Sequence, residues 1–240
     1  MRSPQKLALA ALRHCLPLVP PKKRLPLFVL LTRADVGLEA ELLHLRSFVP
    51  PGGVVIDVGA DVGMFSYELA KFSRRVYAFE INPALTTHLK SYASPRIEII
   101  TSGLSSEARE VTLRVPVLAN GMELPGWGSL EKDNAPPETA RMKLLKASVR
   151  TLDSYILNGI TFIKIDVEGH ECEVLSGARE TIKRSRPTVL IEVRDANFWR
   201  LIRISRIWTT GSSCSLICVE CGDLRTSGYT SLTDTPAASS

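Results

Sequence analysis

The chain lacks any run of about 18 apolar residues, the minimum for a helix that crosses a bilayer, so no spanning segment is expected. Cysteine is sparse: five in 240 residues, with Cys15 and Cys172 isolated and Cys214, Cys218 and Cys221 spaced as C-x3-C-x2-C. Structural zinc normally takes four ligands and no histidine lies near that trio, so reduced thiols in a cytoplasmic protein are the expectation. Glycine and proline, fifteen of each and scattered, are too few for a collagen-like or linker-dominated chain. Acidic residues are missing altogether from positions 1–34, which carry Arg2, Lys6, Arg13, Lys22, Lys23, Arg24 and Arg33. Setting that arm aside leaves 23 basic against 25 acidic residues, so the net charge of +5 belongs to the arm. The body carries no broad basic footprint, and no nucleic-acid partner is expected.

What is present is a globular composition, 45% hydrophobic and 23% charged, and a strand–helix alternation that starts at residue 53. Residues 54–58 (VVIDV), 75–80 (RVYAFE), 97–100 (IEII), 160–166 (ITFIKID) and 188–193 (TVLIEV) read as strands, and 111–115 (VTLRV) as a strand with one wet face. Helices are expected at 64–72, from Pro83, and at 171–185, with Pro187 closing the last. The fold class is therefore α/β, a Rossmann-like, mostly parallel sheet with helices on both faces. Residues 118–148 interrupt the rhythm and read as a functional loop or lid. Three segments follow: a basic arm with capping helices at 1–50, one domain at 51–225, and a frayed tail at 226–240. The arm's apolar run 7–12 stops at Arg13, and the prolines at 17, 20, 21 and 26 break any longer helix. A helix packed on the domain is the favoured reading; a weak interfacial anchor on anionic lipid, peripheral to the membrane, is the alternative.

The first strand runs into Gly59 and Gly63, which permit a tight turn and close approach of a ligand to a helix N-terminus. Glu80 ends the second strand, where an acid can accept both hydroxyls of a ribose. A dinucleotide fingerprint needs a third glycine, which is missing, so a nicotinamide-dependent oxidoreductase is disfavoured. Acids at 57 and 61 would repel a pyrophosphate but suit a cationic ligand with an amino group and a sulfonium, as in S-adenosylmethionine. Asp61 could equally be a plain helix N-cap. Asp166, Glu168 and His170 lie on the carboxyl edge of a central strand, where ligands of open α/β sheets bind. An imidazole that titrates near 6.5 suits removal of an alcohol proton, although His170 could also merely pack at the helix start. A divalent metal on these three side chains is the less favoured reading, and no metal is expected. Lys164 should neutralise one of the carboxylates. Trp127 either stacks on a ligand ring or pins the loop to the core; Phe198, Trp199 and Trp208 read as core.

The stretch 54–63, Phe79-Glu80, residues 102–105 (SGLS), Leu152-Asp153, the run 162–171 (FIKIDVEGHE), residues 174–178 (VLSGA), Arg186-Pro187 and 191–193 (IEV) together resemble the FkbM-type methyltransferases. The resemblance spans roughly 50–194 and is most specific in 164–171 (KIDVEGHE). It implies a class I methyltransferase fold and S-adenosylmethionine as cofactor, with Asp57, Gly59, Gly63, Glu80 and Ser102 as cofactor-binding residues. It also implies O-methylation of a small-molecule or glycan acceptor, with Asp166, Glu168 and His170 as catalytic residues. A sugar hydroxyl comes first, such as the 2-hydroxyl of fucose on a nodulation factor, and a polyketide hydroxyl second. Asp61 departs from the family's usual asparagine, and the match fades after Val193. A non-catalytic nucleotide-binding module is the competing class.

Overall fold

The computed structural model describes residues 18–33, 40–92, 94–131, 136, 138–193, 216–220 and 229–232. The first half of the arm, the aromatics at 198, 199 and 208, Cys214 and Cys221 lie outside them, as does most of the expected tail. Two helices come first, α1 (Pro21–Arg33) and α2 (Ala40–Phe48). They are followed by β1 (Val54–Val58), α3 (Met64–Leu69), β2 (Arg75–Phe79), α4 (Pro83–Tyr92) and β3 (Ile97–Ile100). Then come the short β4 (Gly103–Leu104) and two long strands, β5 (Arg109–Leu118) and β6 (Thr139–Arg150). The chain continues through β7 (Ile160–Ile165), α5 (Glu171–Ser176), α6 (Arg179–Ser185) and β8 (Thr188–Val193). Strands β9 (Leu216–Glu220) and β10 (Tyr229–Leu232) complete the described elements.

The main sheet runs β10-β9-β8-β7-β1-β2-β3, parallel except where β10 meets β9. The chain leaves β1 toward β2 and β3, then returns to its other side through β7. That reversal opens a crevice beyond the carboxyl ends of β1 and β7. Side chains alternate across β1. Val54, Ile56 and Val58 join one buried cluster with Val174, Leu175 and Ile182, while Val55 joins a second with Leu42, Leu45, Phe65 and Leu89. Both faces are thus covered, which is why the parallel strands read as unbroken apolar runs.

Four expectations change. Helix α1 continues through Pro26, with Leu25 and Val29 buried and the helix packed on α3 and α4. Pro21 opens it at a position where the missing N–H costs nothing, and the burial outweighs the single bond lost at Pro26. The 171–185 segment is two helices, divided at Gly177 and Ala178, where the backbone passes close to Ser105: a Cβ on Gly177 would lie 1.9 Å from the Ser105 carbonyl oxygen. Asp153 then caps α6 from outside, its carboxylate accepting from the N–H groups of Glu180 and Thr181 at 3.1 and 2.7 Å. The 118–148 segment is no continuous loop: β5 and β6 pair antiparallel into a hairpin, with β4 on its far edge. Lastly, 229–232 within the expected tail forms the edge strand β10.

Candidate active site

At the crevice the chain makes its sharpest turns. Gly59 has φ +77, and a Cβ on it would sit 1.7 Å from the Asp166 carbonyl oxygen, so β1 and β7 approach here only because the residue is glycine. Asp61 holds φ +49, a left-handed conformation that Asp and Asn tolerate better than other residues. That is the physical reason for Asn or Asp at this position, and the helix-cap reading falls, since Gly63 occupies the N-cap of α3 without a side-chain bond. Across the crevice, Glu168 and Gly169 are also left-handed, at φ +53 and +103.

Glu80 is 6% exposed and held rigidly. Its Oε2 accepts from the Asp61 N–H at 2.9 Å and its Oε1 from the Asn82 N–H at 2.7 Å. Burial pushes its pKa up from the usual 4.5 to about 7, against the opposing pull of those two backbone donors. The carboxylate faces a cavity of about 310 Å³. Beside Glu80 the wall is apolar, from Phe79, Ile81, Leu85 and Leu104; opposite stand Asp166, Glu168 and His170. The segment that runs back along β5 after its end, with a 3-10 turn at Pro125–Trp127 followed by Gly128, forms the roof.

His170 is 5% exposed at the N-cap position of α5 and makes no cap bond with its side chain. Its Nε2 lies 3.0 Å from Ser105 Oγ and its Nδ1 3.1 Å from Glu131 Oε1. The ring thereby ties the hairpin to the sheet edge, and a second tie runs from Ser129 Oγ, which donates to the Glu168 carbonyl at 2.8 Å. Lys164, buried in the central strand, pairs with Asp166 Oδ2 at 2.9 Å, as expected, and covers the Phe65 ring. Asp166, Glu168 and His170 share the cavity wall, but among the described residues no group of His, Cys, Asp or Glu side chains converges as a metal-binding cluster.

Of the five residues expected around a cofactor, Gly59 and Glu80 line the cavity and three do not. Asp57 is 0% exposed: alternation along β1 turns it to the α3 face, where Ser66 Oγ donates to Oδ2 at 2.5 Å and Oδ1 has no partner. Desolvation raises its pKa, with Lys164 pulling the other way. Gly63 is required by packing, since a Cβ there would lie 2.3 Å from Leu89 Cδ2. Ser102 directs its hydroxyl to the carbonyls of Gly103 and Ser148, leaving its neighbour Gly103 as the lining residue. Trp127 is 42% exposed and lines the cavity. Sequence reasoning missed Glu131, Ser129 and Asn82, whose roles arise from contacts with residues that are distant in sequence or from a single backbone N–H.

The model for the methyltransferase FkbM domain matches residues 57–215. The chain belongs to the FkbM methyltransferase family. The matched segment contains Gly59, Glu80, Asp166, Glu168 and His170 together with the roof. The AMB antimetabolite synthetase AmbE of Pseudomonas aeruginosa is 30% identical over 185 residues, 61% of this chain but 9% of that protein. The crystal structure of the methyltransferase FkbM from Methylobacillus flagellatus KT superposes with a TM-score of 0.51 at 17% identity. That match covers 88% of this chain and 54% of the other. An rRNA methylase from Streptococcus thermophilus follows at a TM-score of 0.46 and 13% identity, covering 81% and 93% of the two chains. The chain thus spans a small part of the curated relative and about half of the FkbM structure. The fold is Rossmann-like, as the sequence predicts, and S-adenosylmethionine is the methyl donor that belongs with the family. The residues present fit it: a glycine turn that a single Cβ would fill, a buried carboxylate aimed into the cavity, and an apolar slot beside that carboxylate.

Proposed function

We propose that this chain is an S-adenosylmethionine-dependent O-methyltransferase that acts on a hydroxyl of a sugar or glycan. The observation that carries the reading is the opposition of Glu80, with its adjoining apolar slot, to the Asp166–Glu168–His170 wall across one cavity. Glu80 would accept from the ribose hydroxyls, with the Asp61 and Asn82 N–H groups fixing its two oxygens. Phe79, Ile81, Leu85 and Leu104 would flank the adenine. Held there, S-adenosylmethionine would supply an electrophilic methyl on its sulfonium for transfer to the acceptor oxygen. Positioning of the two partners supplies much of the rate.

The acceptor's proton goes to His170. Beside the Glu131 carboxylate the resting ring carries its hydrogen on Nδ1. Ser105, a hydroxyl that both donates and accepts, lets the ring adopt the other tautomer, with Nε2–H pointing at Oγ. In that tautomer Nδ1 offers a lone pair, and the acceptor hydroxyl would take the place that Glu131 Oε1 holds beside it. Asp166, already paired with Lys164, and Glu168 shape the acceptor side of the wall. The body's slight negative charge and the absence of a basic footprint favour a small acceptor over nucleic acid. The 2-hydroxyl of a fucose on a nodulation factor is one such acceptor, drawn from the family resemblance, and a polyketide hydroxyl is the second choice.

Calorimetric titration with S-adenosylmethionine and with NAD, followed by transfer of labelled methyl to a panel of mono- and oligosaccharides, tests the reading. Binding of the first nucleotide only, with label in a sugar ether, is expected. Preference for NAD, or cofactor binding without transfer to any hydroxyl, would replace it with an oxidoreductase or a binding module.

A further inference from the structure

A second cavity, about 550 Å³, adjoins the first, and His170 and Leu130 line both. It lies along the hairpin and is bordered by Arg109, Arg114 and Lys146. Its size falls within the range of about 300–1,000 Å³ usual for small-molecule sites. The cations are placed by strand register. Thr112 pairs with Lys146 across β5 and β6, and Arg114 lies two residues beyond Thr112, so Lys146 and Arg114 stand on the same face as diagonal neighbours. Arg114 is anchored through Nη1, which donates to the carbonyls of Thr112 and Leu130 at 3.2 and 3.3 Å, so its guanidinium is fixed beside the residue that separates the two cavities. Of the two acids on this lining, Glu110 and Glu131, the latter is engaged by His170.

We propose that this groove is the acceptor subsite and that it selects a sugar bearing an anionic group, a phosphate or a carboxylate. The proposal rests on the methyltransferase reading and deepens it. Arg114 and Lys146 grip the anion, while Arg109, engaged by Glu107, and Glu110, two residues before Thr112, bound the outer end; the sugar ring extends past Leu130 so that a hydroxyl reaches His170. An anchored guanidinium and an exposed ammonium on one face of the hairpin match an oxyanion with two or three acceptor oxygens, and charge-assisted bonds to it are roughly twice as strong as neutral ones. A neutral sugar would offer neither cation an opposite charge. A phosphodiester backbone offers the same oxygens, but a compact groove on a body without a basic face suits a single anionic group rather than a polymer.

The test uses the full chain, with and without saturating S-adenosylhomocysteine, and saturation-transfer NMR titrations of glucose 1-phosphate, glucuronate and glucose. Both anionic sugars should bind at least tenfold more tightly than glucose, and comparison of the two separates a phosphate from a carboxylate preference. The Arg114→Gln/Lys146→Gln double variant should lose at least tenfold for the anionic sugars and keep its S-adenosylhomocysteine affinity within twofold. Lys146→Gln alone, at an exposed position, should lose several-fold. Lys143→Gln removes a cation paired with Glu123 elsewhere on the same hairpin, and it should change nothing. Equal binding of charged and neutral sugars, a double variant that binds anions like the wild type, or tighter binding of a short single-stranded RNA at the same residues would overturn the proposal. Failure of S-adenosylhomocysteine to bind would instead overturn the methyltransferase reading, since the sugar titrations without it are scored separately.

Discussion

On the sheet side of the cavity, Gly59, Asp61, Glu80 and Glu168 are held by main-chain conformation and by bonds between backbone and buried carboxylate. On the hairpin side, Trp127 stands 42% exposed, and Ser129 and Glu131 reach the sheet edge through a hydroxyl and an exposed carboxylate. The floor has one arrangement open to it, because a Cβ at Gly59 would occupy the place of a carbonyl oxygen. The roof is bonded by its backbone to β5, at Pro116–Leu124 and Arg114–Ser129, but it meets the sheet side through side-chain bonds, those of Ser129 and Glu131. Changes to the floor should therefore cost stability and cofactor binding together, whereas changes to the roof should cost function alone.

The largest effect is expected at Gly59→Ala. The new methyl would clash with the Asp166 carbonyl and force a non-glycine residue into φ +77. Either effect is severe in a buried turn, so destabilisation above about 3 kcal/mol by denaturant unfolding is expected, with S-adenosylmethionine binding lost. A stable variant that still binds would remove the close approach as the basis of the floor.

His170→Ala comes next and cuts the main link between the two halves. General-base catalysis typically contributes 10²–10⁴-fold, so turnover should fall at least roughly a hundredfold with cofactor affinity within about twofold. Glu131→Gln keeps a polar partner for Nδ1 and should cost less than about tenfold. If the two variants lose activity equally, the histidine acts by fastening the roof, and the base is Asp166 or Glu168.

Glu80 reports on the floor through pH. Its carboxyl titrates at about 7 in the folded protein against 4.5 otherwise. Between those values the native state holds a proton that the unfolded chain has released, so stability falls as pH rises. The contribution is fully present below pH 4.5 and is lost as pH passes 7, a change on the order of 3 kcal/mol. Glu80→Gln should flatten unfolding free energies across that window. In the proposed cofactor site the ionised form would accept from the ribose hydroxyls, so cofactor binding should tighten as pH rises through 7, and Glu80→Ala should weaken it at least tenfold, about 1.4 kcal/mol. Stability and binding thus move in opposite directions with pH. An apo protein whose stability is level from pH 4.5 to 8 would show that the carboxyl is not buried at this cost.

The same division marks what the residues disclose in advance. Gly59, Glu80 and the strands beneath them are legible because short unbroken apolar runs, a glycine turn and an acid at a strand end are local signals. Asp57 and Ser102 lie beside such signals yet point away from the cavity, since one step along a strand reverses the side chain. The split of the 171–185 helix falls where Ser105 closely approaches Gly177, a contact across the fold that no local pattern encodes. Glu131 shows the extreme case: an unremarkable acid in a polar stretch becomes a partner of His170 only once the hairpin folds back over the sheet.

The smallest effect is expected at Trp127, where the contrast between the two halves is tested most finely. The ring lines the cavity at the end of a 3-10 turn that contacts α4, beside the apolar slot assigned to the adenine. An aromatic face placed there would stack on the base, an interaction worth about 0.5–1.5 kcal/mol beyond its buried area. Trp127→Ala should therefore weaken S-adenosylmethionine binding by roughly two- to tenfold, and Trp127→Phe should restore most of it. The unfolding free energy should change by no more than about 0.5 kcal/mol, as for a surface substitution. A loss of stability above about 2 kcal/mol, with binding unchanged once folding is corrected for, would mean that the tryptophan fastens the hairpin, and the roof would then share the floor's physics. If binding weakens alone, and the rescue follows the aromatic ring, the roof serves the ligand and the fold stands without it.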